Sequence, residues 1–121
     1  MKVIIAGSRD YDDYEQFEET LYRNHCHPDS GSFFFSEVVS GGARGADRLG
    51  ELFAVERDMP CTTFTPAWGR LGKRAGYVRN EEMASYADAL IAFWDGESRG
   101  TKHMIDIALR EGLDVHVYRT T

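Results

Sequence analysis

The segment Ser40-Gly41-Gly42-Ala43-Arg44-Gly45-Ala46-Asp47 carries the strongest chemical signal in the sequence. Gly41, Gly42 and Gly45 permit positive φ and close approach of the backbone to a ligand, and the helix they open would aim its first amides at that space. The chemistry is anion binding, with a phosphate over the turn and Arg44 to neutralise it. The spacing is neither G-x-G-x-x-G nor a Walker loop. A second turn, Asp95-Gly96-Glu97-Ser98-Arg99-Gly100-Thr101, repeats the glycine pattern and adds Ser98, Arg99 and Thr101 as donors at another helix start. Gly7, Ser8, Arg9 and Asp10 follow the first apolar run and are candidate ligand contacts. The stretch from Trp68 to Asn80 offers Trp68 and Tyr77 as stacking faces, with Lys73, Arg74, Arg79 and Asn80 as polar contacts. A free histidine titrates near 6.5, which would suit His103 to general acid or base work, but it reads better as a helix-surface histidine. His25, Cys26 and His27 resemble a metal clip only superficially, because adjacent residues do not readily converge on one ion, so no metal is expected.

These residues need elements to hold them. Val3 to Ala6 is too short for anything but a buried strand. Asp12 and Asp13 offer N-caps, and Tyr14, Phe17 and Leu21 share a face, which predicts a helix to about Asn24. Turn residues from Cys26 to Ser32 precede a second strand centred on Val38 and Val39. Ala46, Leu49, Phe53 and Ala54 make a second helix that ends before Pro60, and Cys61 to Phe64 reads as a third strand. Pro66 to Asn80 reads as a long loop, with Asn80 capping a short helix that carries Met83, Tyr86 and Ala87. Ala89 to Trp94 is a buried fourth strand. From Thr101, Met104, Ile105, Ala108 and Leu109 form a helical stripe that Gly112 stops, and Val115 and Val117 belong to a last strand. Phe33, Phe34 and Phe35 cannot all point inward from one strand, which leaves one for a contact in a homodimer or higher oligomer.

Five strands alternating with four helices predict one α/β domain over residues 1–121, a mostly parallel five-stranded sheet with helices on both faces. Ligands in such sheets bind outside the carboxyl ends of the strands. The loops at that edge, residues 7–10, 40–48, 66–80 and 95–103, hold nine of the fourteen Lys and Arg but four of the twenty Asp and Glu. A cationic mouth on a chain of net charge −6 selects a compact anion and argues against non-specific duplex binding. The longest apolar run, Ala89 to Trp94, falls far short of the roughly 20 residues of a membrane span. No long apolar stretch with a cleavage site follows Met1, so a soluble, cytoplasmic chain with reduced Cys26 and Cys61 is expected, with no membrane partner.

AGSRD, VVSGGARGAD, WGRLGKRAGYVRN and ADALIAFWDGESRGTKHMID together resemble the SLOG superfamily of Rossmann-like domains, nearest its small YspA/YpsA-related branch. The resemblance implies a three-layer α/β/α Rossmann-like fold and a site for a nucleotide or nucleotide-derived ligand, sensed or sequestered, with no cofactor required. It also implies a comparison with the LOG-type phosphoribohydrolases, whose P-G-G-x-G-T-x-x-E and R-K-x-x-M motifs serve cleavage of a nucleotide N-glycosidic bond. Arg79 and Met83 are similar to the second motif, and Gly100 and Thr101 to part of the first, but Met104 stands at the glutamate position. A thioether cannot act as a base or stabilise an oxocarbenium ion. Glycosidase activity would need Asp95, Glu97 or Asp106 in its place. GGARGAD is also similar to a turn of the DprA/Smf branch, and single-stranded nucleic acid is the third candidate ligand. For a nucleotide, the expected arrangement puts phosphates over Gly41 to Gly45, Arg44 and Arg79 against them, and Asp10 or Asp47 on the ribose.

Overall fold

The computed structural model describes residues 1–120. Its elements run β1 (Lys2–Gly7), α1 (Tyr14–Asn24), β2 (Glu37–Ser40), α2 (Ala46–Glu56), β3 (Cys61–Thr63), α3 (Trp68–Leu71), a 3-10 turn (Gly72–Arg74), α4 (Ala75–Tyr86), β4 (Ala89–Trp94), α5 (Arg99–Arg110) and β5 (Asp114–Arg119). The strands form one sheet in the order β3-β2-β1-β4-β5, with every pair parallel. The predicted α/β class with a five-stranded sheet is therefore observed, and the sheet is wholly parallel.

Strand alternation divides the core into two layers. Val3, Ile5, Val38, Ile91 and Phe93 face one side, where Phe17 and Leu21 of α1 and Phe53 and Ala54 of α2 cover them. Ile4, Ala6, Val39, Leu90 and Ala92 face the other, against Met83 and Ala84 of α4 and Met104, Ile105 and Ala108 of α5. Burial on both faces explains why β1 and β4 read as unbroken apolar runs. Each fully buried Phe, Leu or Ile contributes roughly 1.5–3 kcal/mol. At the start of α1, Asp13 accepts from the Gln16 amide, as its position predicts.

The segment from Pro66 to Asn80 departs from the expected loop. It forms α3, the 3-10 turn and the first half of α4, giving five α-helices where the sequence pattern predicts four. The glycines at 69, 72 and 76 suggest a loop, but only Gly72 has positive φ, and it ends α3. The buried face of α4 consists of Ala75, Asn80, Met83 and Ala84; all but Met83 are small or polar, which leaves little hydrophobic period. Asn80 accordingly caps nothing and lies buried within α4. Two boundaries also shift. α5 begins at Arg99 with Ser98 as its N-cap, and Phe64 lies beyond β3. Phe33, Phe34 and Phe35 lie outside any strand, with Phe35 buried and Phe34 half exposed.

Candidate functional site

β1 and β4 end side by side where the strand order reverses, and one buried side chain joins their loops. Ser8 donates its N–H to Phe93 O at 3.0 Å, and its Oγ accepts from the Asp95 N–H at 3.0 Å. The turn between β2 and α2 leans on the same point. Gly45 has φ 81°, and a Cβ there would stand 2.3 Å from Ser8 O and 2.6 Å from Arg9 O. Only glycine fits this contact. Three loops thus converge on Ser8, at the carboxyl edge where this architecture binds ligands.

Inside the β2–α2 turn the amides are partly taken by the protein itself. Ser40 Oγ accepts from the Gly42 N–H at 3.1 Å and donates to Glu51. Asp47 Oδ2 accepts from the Ala43 N–H at 3.2 Å. Burial pushes the Asp47 carboxyl up to about 6, against the Ala43 amide and the Arg79 guanidinium, which hold it down. A carboxylate of the chain therefore sits under the turn expected to face a phosphate. Ser40 and Asp47 hold the turn's shape.

Arg79, on α4, crosses the turn. Its Nη1 donates to Gly41 O and its Nε to Asn80 Oδ1 at 3.0 Å, while Nη2 has no hydrogen-bond partner among the described residues. The guanidinium fits because Gly41 has no side chain, since a Cβ would lie 2.6 Å from Nη1. Burial lowers the Arg79 pKa, and the nearby Asp47 carboxylate opposes that shift. Asn80 Nδ2 donates to Gly100 O at 3.3 Å and meets His103 Nδ1 at 3.1 Å, so it ties α4 to the start of α5. His103, its pKa lowered mainly by burial, packs edge-on against Tyr77 with ring centroids 4.3 Å apart.

Two adjoining cavities share Arg9, Ala43 and Arg79. The outer, about 330 Å³, is completed by Gly41, Gly42, Arg44, Pro66 and Trp68. The inner, about 70 Å³, is completed by Ala6, Gly7, Asp47, Asn80, Met83, Ser98, Gly100, Thr101 and Met104. Ser98 Oγ accepts from the Thr101 N–H at 3.4 Å, whereas the Arg99 and Gly100 N–H groups have no partner among the described residues. The start of α5 therefore presents helix-end amides beside the inner cavity. Asp95 Oδ1 accepts from the Glu97 and Ser98 amides, each at 2.8 Å, and these bonds lower its pKa.

The structure thus brings Gly7, Arg9, Gly41, Gly42, Arg44, Asp47, Trp68, Arg79, Asn80, Ser98, Gly100 and Thr101 around one space. Ser8, Ser40, Gly45 and Asp95 shape the loops around it. Asp10 is almost fully exposed and pairs with Arg44 at 3.8 Å. Lys73, Gly96 and Arg99 line neither cavity, and nor do Arg74 or Tyr77. Of the carboxylates that could replace a glutamate at Met104, Asp95, Glu97 and Asp106 also line neither, and Asp106 pairs with Lys102 at 2.8 Å. Ala6, Ala43 and Pro66 form walls that no chemical signal in the sequence announces. Among the described residues no group of three or more His, Cys, Asp or Glu is set to hold a metal, and no helix is long and apolar enough to cross a membrane. His25 instead bonds Tyr118 OH at 2.7 Å, and burial pushes its pKa down to about 4.

A parallel sheet with its loops gathered around arginines and a helix start defines a Rossmann-like domain. The chain belongs to the YspA, cpYpsA-related SLOG family, whose profile matches residues 1–70. It is 34% identical over 124 residues to the Gene 61 protein of Mycobacterium phage D29, covering 94% of this chain and 93% of that protein. No solved structure matches it significantly.

Proposed function

We propose that the chain binds a nucleotide or nucleotide-derived small molecule across the two cavities and acts as a sensing or sequestering module. One observation carries the reading: Arg9, Arg44 and Arg79 meet the open amides of α5 around adjoining cavities, beside the half-exposed ring of Trp68. A phosphate matches the inner cavity, where the Gly100 amide, the Thr101 hydroxyl and Arg79 Nη2 supply donors. The outer cavity suits a ribose and base, with Trp68 available for stacking. Membership of a SLOG family supports the nucleotide over other anions.

The test is thermal unfolding with AMP, ADP-ribose, NAD and cyclic dinucleotides at millimolar concentration. A ligand at 100 times its dissociation constant stabilises by roughly 2.7 kcal/mol, a rise of several degrees for a domain of this size. The reading expects one such ligand class, with the shift abolished in Arg79→Ala and affinity reduced roughly tenfold in Arg44→Ala. No shift with any compound overturns it. Tight, salt-sensitive retention of single-stranded oligonucleotides in that case would favour nucleic acid.

One observation favours a second reading, cleavage of an N-glycosidic bond: Asp47 lines the inner cavity with its carboxyl raised to about 6, a value suited to proton transfer. Free base released from a nucleoside monophosphate, and lost in Asp47→Asn while ligand binding persists, would support it. Met104 at the position of the missing glutamate weighs against it.

A further inference from the structure

β5 closes the sheet and is hydrogen-bonded to β4 on one side only. The Asp114 N–H donates to Asp88 O at 3.2 Å and the Thr120 N–H to Trp94 O at 3.0 Å. In a parallel ladder the two sides alternate, so even-numbered residues face β4, and the N–H and C=O of Val115, Val117 and Arg119 point to the open side. The opposite edge is blunt, since β3 has three residues and lies between Pro60 and Pro66. β5 is longer, with six residues and neither proline nor lysine; its charges, Asp114 and Arg119, stand at its two ends, with Asp114 3.2 Å from His116, and Val115 and Val117 lie between them. Val117 at its middle is 41% exposed, and Leu109 on the adjacent α5 is 59% exposed.

We infer that two copies of this chain dimerise by pairing their β5 strands antiparallel about a two-fold axis through Val117, joining two five-stranded sheets into one. A two-fold axis perpendicular to a sheet keeps each face on its own side, so facing residues must have the same parity. With Val117 on the axis, Val117 faces the partner's Val117, and Val115 faces the partner's Arg119. All three outward N–H and all three outward C=O groups of each strand then find partners. A strand centred on His116 would leave Arg119 facing Leu113, beyond the start of β5. The side chains agree with the Val117 register. Two valines meet on the α5 side, and His116 meets the partner's Tyr118 on the α1 side, both favourable cross-strand pairs. Asp114 and Arg119 leave the edge formally neutral with His uncharged, and neither faces its like, which matters in a chain of net charge −6. The inference is independent of the proposed ligand, because β5 borders neither site cavity.

Light scattering after gel filtration at about 100 µM should give about twice the 13.7 kDa of one chain. Val117→Pro removes a hydrogen bond only from the open side and should give a folded monomer, checked by circular dichroism and thermal unfolding; Val117→Lys should give the same mass. Register is read by cross-linking with Cys26 and Cys61 changed to serine. Val117→Cys should oxidise to a covalent dimer, because facing Cα atoms about 5.5 Å apart lie within disulfide reach. Val115→Cys should not, because its two copies would be roughly 14 Å apart. A monomeric parent chain, a dimer untouched by both Val117 changes, or equal cross-linking at 115 and 117 would each overturn the inference.

Discussion

Asp47 and Asp95 serve the two glycine-rich turns in the same way, and they titrate in opposite directions. Each carboxylate accepts backbone amides of its turn, Ala43 for Asp47, Glu97 and Ser98 for Asp95. Asp95 is only partly buried, so its hydrogen bonds outweigh desolvation and lower its pKa; Asp47 is buried, and desolvation outweighs the same kind of bond. The turns differ in availability too. The start of α2 is butted against Ser8, with the Ala46 N–H at 3.4 Å from Ser8 O, whereas the start of α5 has open amides beside the inner cavity. The turn with more glycines is therefore the one pinned to β1 at its helix start, and the plainer one sets its open amides beside the inner cavity.

The largest effect that tests this contrast is expected at glycine. Gly45→Ala should destabilise by more than about 3 kcal/mol in urea unfolding, because a Cβ meets two carbonyl oxygens and φ is positive. Gly100→Ala should change stability by less than about 1 kcal/mol, since nothing lies within 4 Å of its Cβ and it sits in a helix. Similar losses at both positions would erase the distinction between a packed turn and an open one.

Next comes pH. The Asp47 carboxyl rises from 3.8 to about 6 on folding, so its charged form opposes folding. This group costs nothing below pH 3.8, and its cost grows to full size as pH climbs past 6, on the order of 3 kcal/mol at most. Asp47→Asn should flatten the fall in stability between those pH values and be at least as stable as the parent at pH 7. A steeper fall in the variant would mean that the amide and Arg79, not burial, govern this carboxylate.

Ser98→Ala should cost about 1 kcal/mol by removing the N-cap of α5. The smallest effect belongs to Asp95→Asn, with the opposite sign to Asp47→Asn. Because its folded pKa is depressed, Asp95 stabilises above the ordinary carboxylate range, and that contribution disappears as pH falls through the folded value. The variant should be slightly less stable at pH 7 and equal to the parent in strong acid. A variant more stable at neutral pH would make the two aspartates alike.

The legibility of these features followed their physics. Ile4, Ile5, Leu90 and Ile91 are buried on both faces of the sheet, and such strands announce themselves as short apolar runs. The first half of α4 did not, because Met83, the large apolar residue on its buried face, comes late in the helix, and Ala75 and Asn80 before it are small or polar, with Asn80 there for hydrogen bonds. In the site, arginines and glycines were conspicuous, and Arg9, Arg44 and Arg79 do border one space. Which amides were already engaged could not be read from composition, because that depends on whether Asp47 folds back under its turn. Ala6, Ala43 and Pro66 act by shape alone, which leaves no mark in a sequence.

Ser8 gives the crevice a mechanical property. With β1 and β4 fastened together by one residue's amide and hydroxyl, the mouth has no hinge at the point where the sheet divides. For the proposed nucleotide this means docking onto a finished surface, with little ordering of loops on arrival. Added salt should then slow capture, through screening of Arg9 and Arg44, far more than it hastens escape. Kinetically, the molecule would behave as a charged cup.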